Sequence, residues 1–410
     1  MPSEEQLRDY ARVAIEVGLG VEPGERVLIA APVVRPEFAR MVVDAAYDAG
    51  AISADVLWFD DAVDRSRFTH GSAEAADALP GSALFRLADF EAGASFLRIH
   101  AADPAKFAGV DQARVQQQNR REMEHIRPQM EAMGIGHVPW TVIGVPIPAW
   151  ASSVFPDDDA EEAEERLWQA ILRAARIDTP DPVDGWRAHI ADLEARAAHL
   201  DSRDYRRLRY EGPGTDLVLG MTDRARWRGG GMTTPAGKPF APNLPTEEVF
   251  TSPHRMKAEG TVRATKPLSY FGDLIEDFSF ELSEGKVVGS RAGVGEATLR
   301  AILGSDDGAV HFGEAAMVPQ SGAVAAEHLV WKNILYDEND ACHIALGQSY
   351  ASCYDGADAL SADERLEVGL NRSSVHVDFV LGSPQLSVFG VLDGGGEEPI
   401  IAAGEWGFTV

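Results

Sequence analysis

Two ionisable residues stand two apart in the stretch SSVHVDFVLG, residues 373–382: His376 and Asp378, inside an otherwise apolar run. In an extended strand residues i and i+2 share a face, so the imidazole and the carboxylate stand together while Val375, Val377 and Phe379 turn the other way. A carboxylate held against a dry interior requires a charge partner or a full set of hydrogen bonds. The pair therefore reads as a structural His–Asp contact on a half-wet strand or as two metal ligands. These ten residues by themselves favour the structural contact.

Further residues able to bind metal recur in the same half of the chain: Glu247 and Glu248 in NLPTEEVFTSP, Glu314 in HFGEAAMVPQ and His343 in NDACHIALGQSY. Counting one of the adjacent glutamates, three carboxylates and two imidazoles suit two divalent ions with one bridging carboxylate and a position left for water. Paired ions of this kind lie about 3.5–4 Å apart and acidify the water they share, and the chemistry implied is hydrolysis. Taken singly, each residue has a structural explanation: Glu314 as a turn cap, His343 as a satisfied core histidine, Glu247–Glu248 as an exposed loop. No two segments share a diagnostic spacing of the kind that marks the helical zinc-protease motif.

The elements that must position these residues change character along the chain. In the first part, helical periodicity in EEQLRDYARVAIEVGL precedes the short apolar strand RVLIAA. RPEFARMVVDAAYDAGA reads as a helix closed by Gly50, and ISADVLWF, ASFLRIHA and WTVIGVPIP read as further strands, with a charged helix expected over residues 105–126. Such alternation predicts an open, mostly parallel α/β sheet. GLGVEPG holds a Gly-x-Gly, but it precedes its strand, the wrong order for a dinucleotide cradle. The acid-rich start of FPDDDAEEAEERLWQAIL reads as a solvated helix face. Residues 180–205 read as a Pro- and Asp-rich break followed by a long amphipathic helix, after which the pattern becomes short strands with Gly-containing turns, among them YEGPGTDLVLGM, YFGDLIEDFSFELSEGKVVGSRAG and PIIAAGEWGFTV, and a helix at GEATLRAIL. We expect residues 1–200 to form an α/β N-terminal domain and residues 201–410 a β-rich α+β domain with mostly antiparallel strands that carries the metal site.

A chain of 410 residues exceeds one ordinary core, which agrees with two domains. No apolar window is long enough to cross a bilayer, and the amino terminus has acidic residues where a signal peptide needs basic ones. The two cysteines, Cys342 and Cys353, are too few for a disulfide framework, and together these features predict a cytoplasmic protein. A net charge of −28 argues against nucleic acid or anionic membrane as partners.

In this order and at these separations, NLPTEEVFTSP, FGEAAMVP, CHIALGQSY and NRSSVHVDFVLGSP resemble the signature of the metallopeptidase family of aminopeptidase T, aminopeptidase S and aminopeptidase II. The likeness extends to YEGPGTDLVL, to WASSVFP near residue 150 and to PIIAAGEWGF, and so covers most of the chain. It implies metal ligation by Glu248, Glu314, His343, His376 and Asp378, with Glu314 bridging, and a catalytic part for Glu314 and Tyr350. Adjacent residues of extended backbone point to opposite sides, so only one of Glu247 and Glu248 enters the site directly, and the likeness selects Glu248. One departure is Gln385 in GSPQLSV, where the resemblance leads one to expect an acidic residue; it bears on packing or substrate preference.

The resemblance implies an aminopeptidase that removes N-terminal residues from peptides with a free amino end, uses two divalent ions (zinc, cobalt or manganese) and forms a homodimer. A metal-dependent amidase or deacylase acting on another amide is the alternative, followed by a metal-stabilised binding protein; the carboxylate-rich set disfavours the latter, since structural zinc sites are closed and usually rich in cysteine. Nucleophilic catalysis fits poorly. Cys342 and His343 are chain neighbours whose side chains diverge in a strand, and GQSYA lacks the second glycine of a nucleophile elbow, which leaves Ser349 without a role.

Overall fold

The computed structural model describes residues 1–410 except 102, 104, 271 and 272 and the side chains of 73, 76 and 112. It divides into two compact units, residues 1–188 with 231–245, and residues 189–230 with 246–410.

In the first unit every strand pairing of the main sheet is parallel, in the order Asn243–Leu244, Trp140–Gly144, Ala94–His100, Arg26–Pro32, Ser53–Phe59. Helices fill the connections, as the alternating pattern requires. The first helix, Glu4–Val13, starts at a capping box in which Ser3 and Gln6 exchange side-chain and backbone hydrogen bonds. The charged helix expected from residue 105 begins only at Gln112 and runs to His125, because Asp111 accepts from the Ala113 N–H and so fixes the N-terminus there. Strands predicted at RVLIAA, ISADVLWF, ASFLRIHA and WTVIGVPIP all form.

The second unit has two large antiparallel sheets, beside the two-stranded pair Leu268–Tyr270 and Asp273–Ile275. One has eight strands, and the hairpin Arg207–Gly212 and Thr215–Met221 lies at its middle. The other has five, in the order His376–Val380, His343–Gly347, Phe312–Met317, Val249–Thr251, Arg228–Gly229. The predicted helix at GEATLRAIL spans Glu296–Leu303. Of the expected strand stretch that begins YFGD, residues 271 and 272 lie outside the described residues, and the remainder includes the hairpin Ser279–Ser283 and Lys286–Arg291.

One face of the five-stranded sheet belongs to the core: Val249, Phe312, Ile344, Leu346, Val377 and Phe379 are all buried there. Phe379 packs against Phe278, Phe280 and Phe312 at ring separations of 5.9, 5.2 and 5.8 Å. Each such pair contributes about 0.5–1.5 kcal/mol beyond area burial. The anchoring fixes which face of the strand looks inward, and with it the direction of His376 and Asp378.

Candidate metal centre

The opposite face of that sheet gathers the ionisable residues. Cross-strand register sets Ala345 beside Glu314 on one side and Asp378 on the other, pairs His343 with Ala316 and Val380, and pairs His376 with Gly347. The Ala345 methyl leaves room for the flanking carboxylates.

Strict alternation would send Phe312 and Glu314 to the same face. They part because the register slips between them: Phe312 pairs with Leu346 and Glu314 with Ala345, so two steps on one strand oppose one on the other. The extra residue is Gly313, and a Cβ there would lie 2.3 Å from the Gln348 carbonyl oxygen. This bulge turns Phe312 into the core and Glu314 toward the ionisable face. A second glycine shapes the neighbouring turn. Gly347, at φ +98°, has the Val375 oxygen 2.1 Å from where its Cβ would sit.

The donor atoms fall into two groups, each within 4.8 Å: Glu248, Glu314 and His343, and Glu314, His376 and Asp378. Glu314 belongs to both. Its Oε1 lies 3.9 Å from His343 Nε2 and its Oε2 lies 3.0 Å from His376 Nε2, so each oxygen faces a different imidazole. Glu248 Oε2 is 3.1 Å from His343 Nε2, and Asp378 Oδ1 is 3.4 Å from His376 Nε2. Both of these oxygens are buried without a hydrogen bond among the described residues. Each ring turns its other nitrogen to a backbone carbonyl: His376 Nδ1 to Gln348 O at 2.8 Å and His343 Nδ1 to Ala341 O at 3.3 Å. That contact orients an imidazole so that Nε2 can ligate a cation.

The electrostatics describe a site short of positive charge. Burial, with the charges of Glu248 and Asp378, lifts the Glu314 carboxyl to about 7 against the pull of His376. Burial pulls His343 down, but the facing carboxylate of Glu248, then Asp378 and Glu314, outweigh it and hold the imidazole at about 10. Asp378 is raised by burial and lowered more by His376. The residues fit divalent cations: orphaned buried oxygens, oriented imidazoles and a nitrogen–oxygen donor set suited to zinc, cobalt or manganese.

Tyr350 reaches the same place. Its hydroxyl is 3.4 Å from His376 Nε2, and its ring packs on Phe250 and His376. Burial and the nearby carboxylates, Glu314 first among them, raise the phenol well above its ordinary range. Glu247 points away from Glu248, as extended backbone requires, and its Oε2 lies 3.6 Å from His189 Nε2. Gln385 sits in an exposed turn, its N–H donating to Ser383 Oγ. Burial pushes the Cys342 thiol to about 12, and Ser349 Oγ accepts from the Asn371 N–H, so neither behaves as a nucleophile.

One residue of this region escaped the sequence reading. Glu338 lines the same hollow as Asp378, and its carboxyl is lifted well above the usual range by burial and then by the charges of Asp378, Glu248 and Glu314. The signal available was the acidic run Asp337, Glu338, Asp340 immediately ahead of an apolar strand. Asn339, fully buried, braces the arrangement: its Oδ1 accepts from the Glu247 N–H at 2.8 Å and its Nδ2 donates to Leu335 O at 2.9 Å. Asn339→Ala is expected to weaken divalent-ion binding about 10–100-fold, the usual cost of losing such outer support; titration calorimetry with zinc or cobalt checks it.

Residues 3–406 match the family described as thermophilic metalloprotease (M29). The chain is 39% identical over 410 residues to aminopeptidase 2 of Geobacillus stearothermophilus, covering 99% of each. It is 38% identical over 403 residues to aminopeptidase T of Thermus aquaticus, covering 98% of each. The solved structure of wild-type AmpT from Thermus thermophilus superposes with a TM-score of 0.92 at 36% identity, covering 98% of this chain and 99% of that one.

Proposed function

The chain belongs to the M29 family of thermophilic metalloproteases and is a metal-dependent aminopeptidase; on that premise we propose that it binds two divalent ions, with Glu248 and His343 holding one, His376 and Asp378 the other, and Glu314 shared. The observation that carries this reading is the division of Glu314, one oxygen toward each imidazole. When bound, such ions acidify a shared water and polarise the scissile carbonyl. Zinc, cobalt and manganese all suit the donor set.

The chain's own groups supply the rest. Tyr350, its hydroxyl beside His376 Nε2, donates to the oxygen on which negative charge develops as the carbonyl is attacked. Glu314 was expected both to ligate and to assist catalysis; with both its oxygens turned to imidazoles, we assign the proton transfer from water to the leaving amine to Glu338. The acidic surroundings favour a substrate that brings a positive charge, which the free α-ammonium of a peptide does. The relatives' activity supports peptide substrates, and nothing in it favours a non-peptide amide.

Acetylating the N-terminus of a leucyl peptide is expected to lower kcat/KM at least about 100-fold, the loss of a charge-assisted contact together with the amine. Steady-state kinetics on free and acetylated peptides measures it, and equal turnover of the two would sink the exopeptidase reading in favour of a general amidase. We also propose a cytoplasmic homodimer. Two buried, unpaired cysteines support a reducing compartment, and the family resemblance supports the dimer. No helix among the described residues is long and apolar enough to cross a membrane.

A further inference from the structure

The turn that follows His343–Gly347 carries a side chain that the mechanism does not use. Gln348 is half-buried, and both its backbone and its amide are engaged beside the metal centre. Its N–H donates to Val375 O at 2.8 Å, and its carbonyl accepts from His376 Nδ1 at 2.8 Å. The side-chain Oε1 accepts from the Ser373 N–H at 3.0 Å, while Nε2 donates to Ser349 O at 2.7 Å. An amide both accepts and donates, and here each capacity goes to a different segment of chain.

The two segments lead to different members of the site. Ser373 lies just ahead of His376, so the Oε1 contact fixes the approach to that strand beside the carbonyl on which the imidazole is oriented. The Ser349 carbonyl shares its peptide plane with the Tyr350 N–H, which donates to Ser252 Oγ at 3.1 Å. Turning that peptide would carry Tyr350 with it, and so the hydroxyl that lies 3.4 Å from His376 Nε2. The far side is anchored as well. Asp306 accepts from the Ser373 hydroxyl at 2.8 Å, from the Ser374 N–H at 2.6 Å, and from the N–H groups of Gly308 and Ala309 at 2.9 and 3.0 Å. Burial raises the Asp306 carboxyl, but these hydrogen bonds, those of Ser374 first, outweigh it and hold the group below its ordinary range.

We propose that Gln348 is a positioning residue that sets His376 and Tyr350 together, the imidazole through its own carbonyl and the phenol through the Ser349–Tyr350 peptide. The proposal rests on the two-ion aminopeptidase reading above. Because a carbonyl only accepts, the contact from Nδ1 keeps the ring's proton there and leaves the Nε2 lone pair for a cation. The amide that steadies this carbonyl also steadies the tyrosine. Ligand and oxyanion donor thereby keep one mutual arrangement, and a shift of about 1 Å in such an arrangement costs about 100-fold in rate.

The test uses the full-length enzyme, cobalt titrations followed by calorimetry, and Leu-Ala as substrate for the cobalt-loaded forms. Gln348→Met keeps the length of the side chain and removes the amide. It is expected to weaken cobalt binding about 10-fold or more, to change the visible absorption bands of the bound cobalt, and to lower kcat about 10–100-fold with KM altered less than about threefold. Gln348→Glu separates the two arms, since a carboxylate still accepts from the Ser373 N–H but has no donor for Ser349 O. Its cobalt affinity is expected to equal or exceed the parent's while kcat still falls about tenfold. Affinity, absorption and kcat all within about twofold of the parent in Gln348→Met, whatever its melting midpoint, overturn the proposal and leave the two-ion reading standing. Should Gln348→Met fail to fold, Gln348→Glu decides alone, and an unchanged kcat in it overturns the proposal. An unmodified chain that binds no cobalt overturns both.

Discussion

Glu314→Gln lowers kcat/KM by about 1000-fold or more, the expected consequence of removing a charge that serves both halves of the site. Glutamine keeps the size of the side chain and one carbonyl oxygen, but it loses the second anionic oxygen, the one arrangement through which a single side chain faces both His343 and His376. Stability should move the other way or hardly at all. Without cations the residue is a buried carboxyl beside Glu248 and Asp378, and neutralising it removes the burial cost and then the repulsion that together lift its pKa to about 7. The metal-free variant should therefore unfold at a midpoint equal to or above that of the metal-free parent. Scanning calorimetry beside the kinetics separates the two effects. A parallel fall of activity and midpoint would mark Glu314 as a structural residue and end the two-ion reading.

Chelation is the second large effect. Dialysis against a chelator should remove about two ions per chain and lower activity by about 1000-fold, with recovery on adding zinc, cobalt or manganese, since the water-activating charge is lost with the ions. Reloading should also release protons. In the cation-free site His343 titrates near 10 and His376 well above its ordinary value, burial being outweighed by the neighbouring carboxylates, so both rings carry protons at neutral pH that ligation must displace. The release should shrink as the pH of the experiment rises past 10, where His343 is already neutral. A weakly buffered titration with a pH indicator measures it. The ions should also raise resistance to heat, by about 4 kcal/mol at a thousandfold excess over Kd. Full activity in a preparation whose metal content is far below one ion per chain would overturn the mechanism.

Parts of this site were legible before any coordinates. Residues two apart in a strand share a face whatever surrounds them, so His376 and Asp378 had to point together, and Glu247 and Glu248, being adjacent, had to part. The alternation of apolar strands and amphipathic helices likewise announced the parallel sheet of the first unit. Those statements depend on backbone geometry alone. Where a start signal competed with periodicity, as at Asp111, the position of the helix was less legible, because a single cap decides where the first turn begins.

What the sequence by itself determined is thus local: which residues share a face, which halves are α/β and β-rich, and, through the resemblance, which side chains belong together. Tertiary structure decided the rest. It alone made the bulge at Gly313, without which Glu314 would follow Phe312 into the core; it brought Glu338 among the carboxylates; and it returned residues 231–245 to the first unit, where Asn243–Leu244 completes the parallel sheet. The physical reason is common to all three. Strand register and cross-strand packing join residues far apart in sequence, and their energies depend on partners that no local window contains.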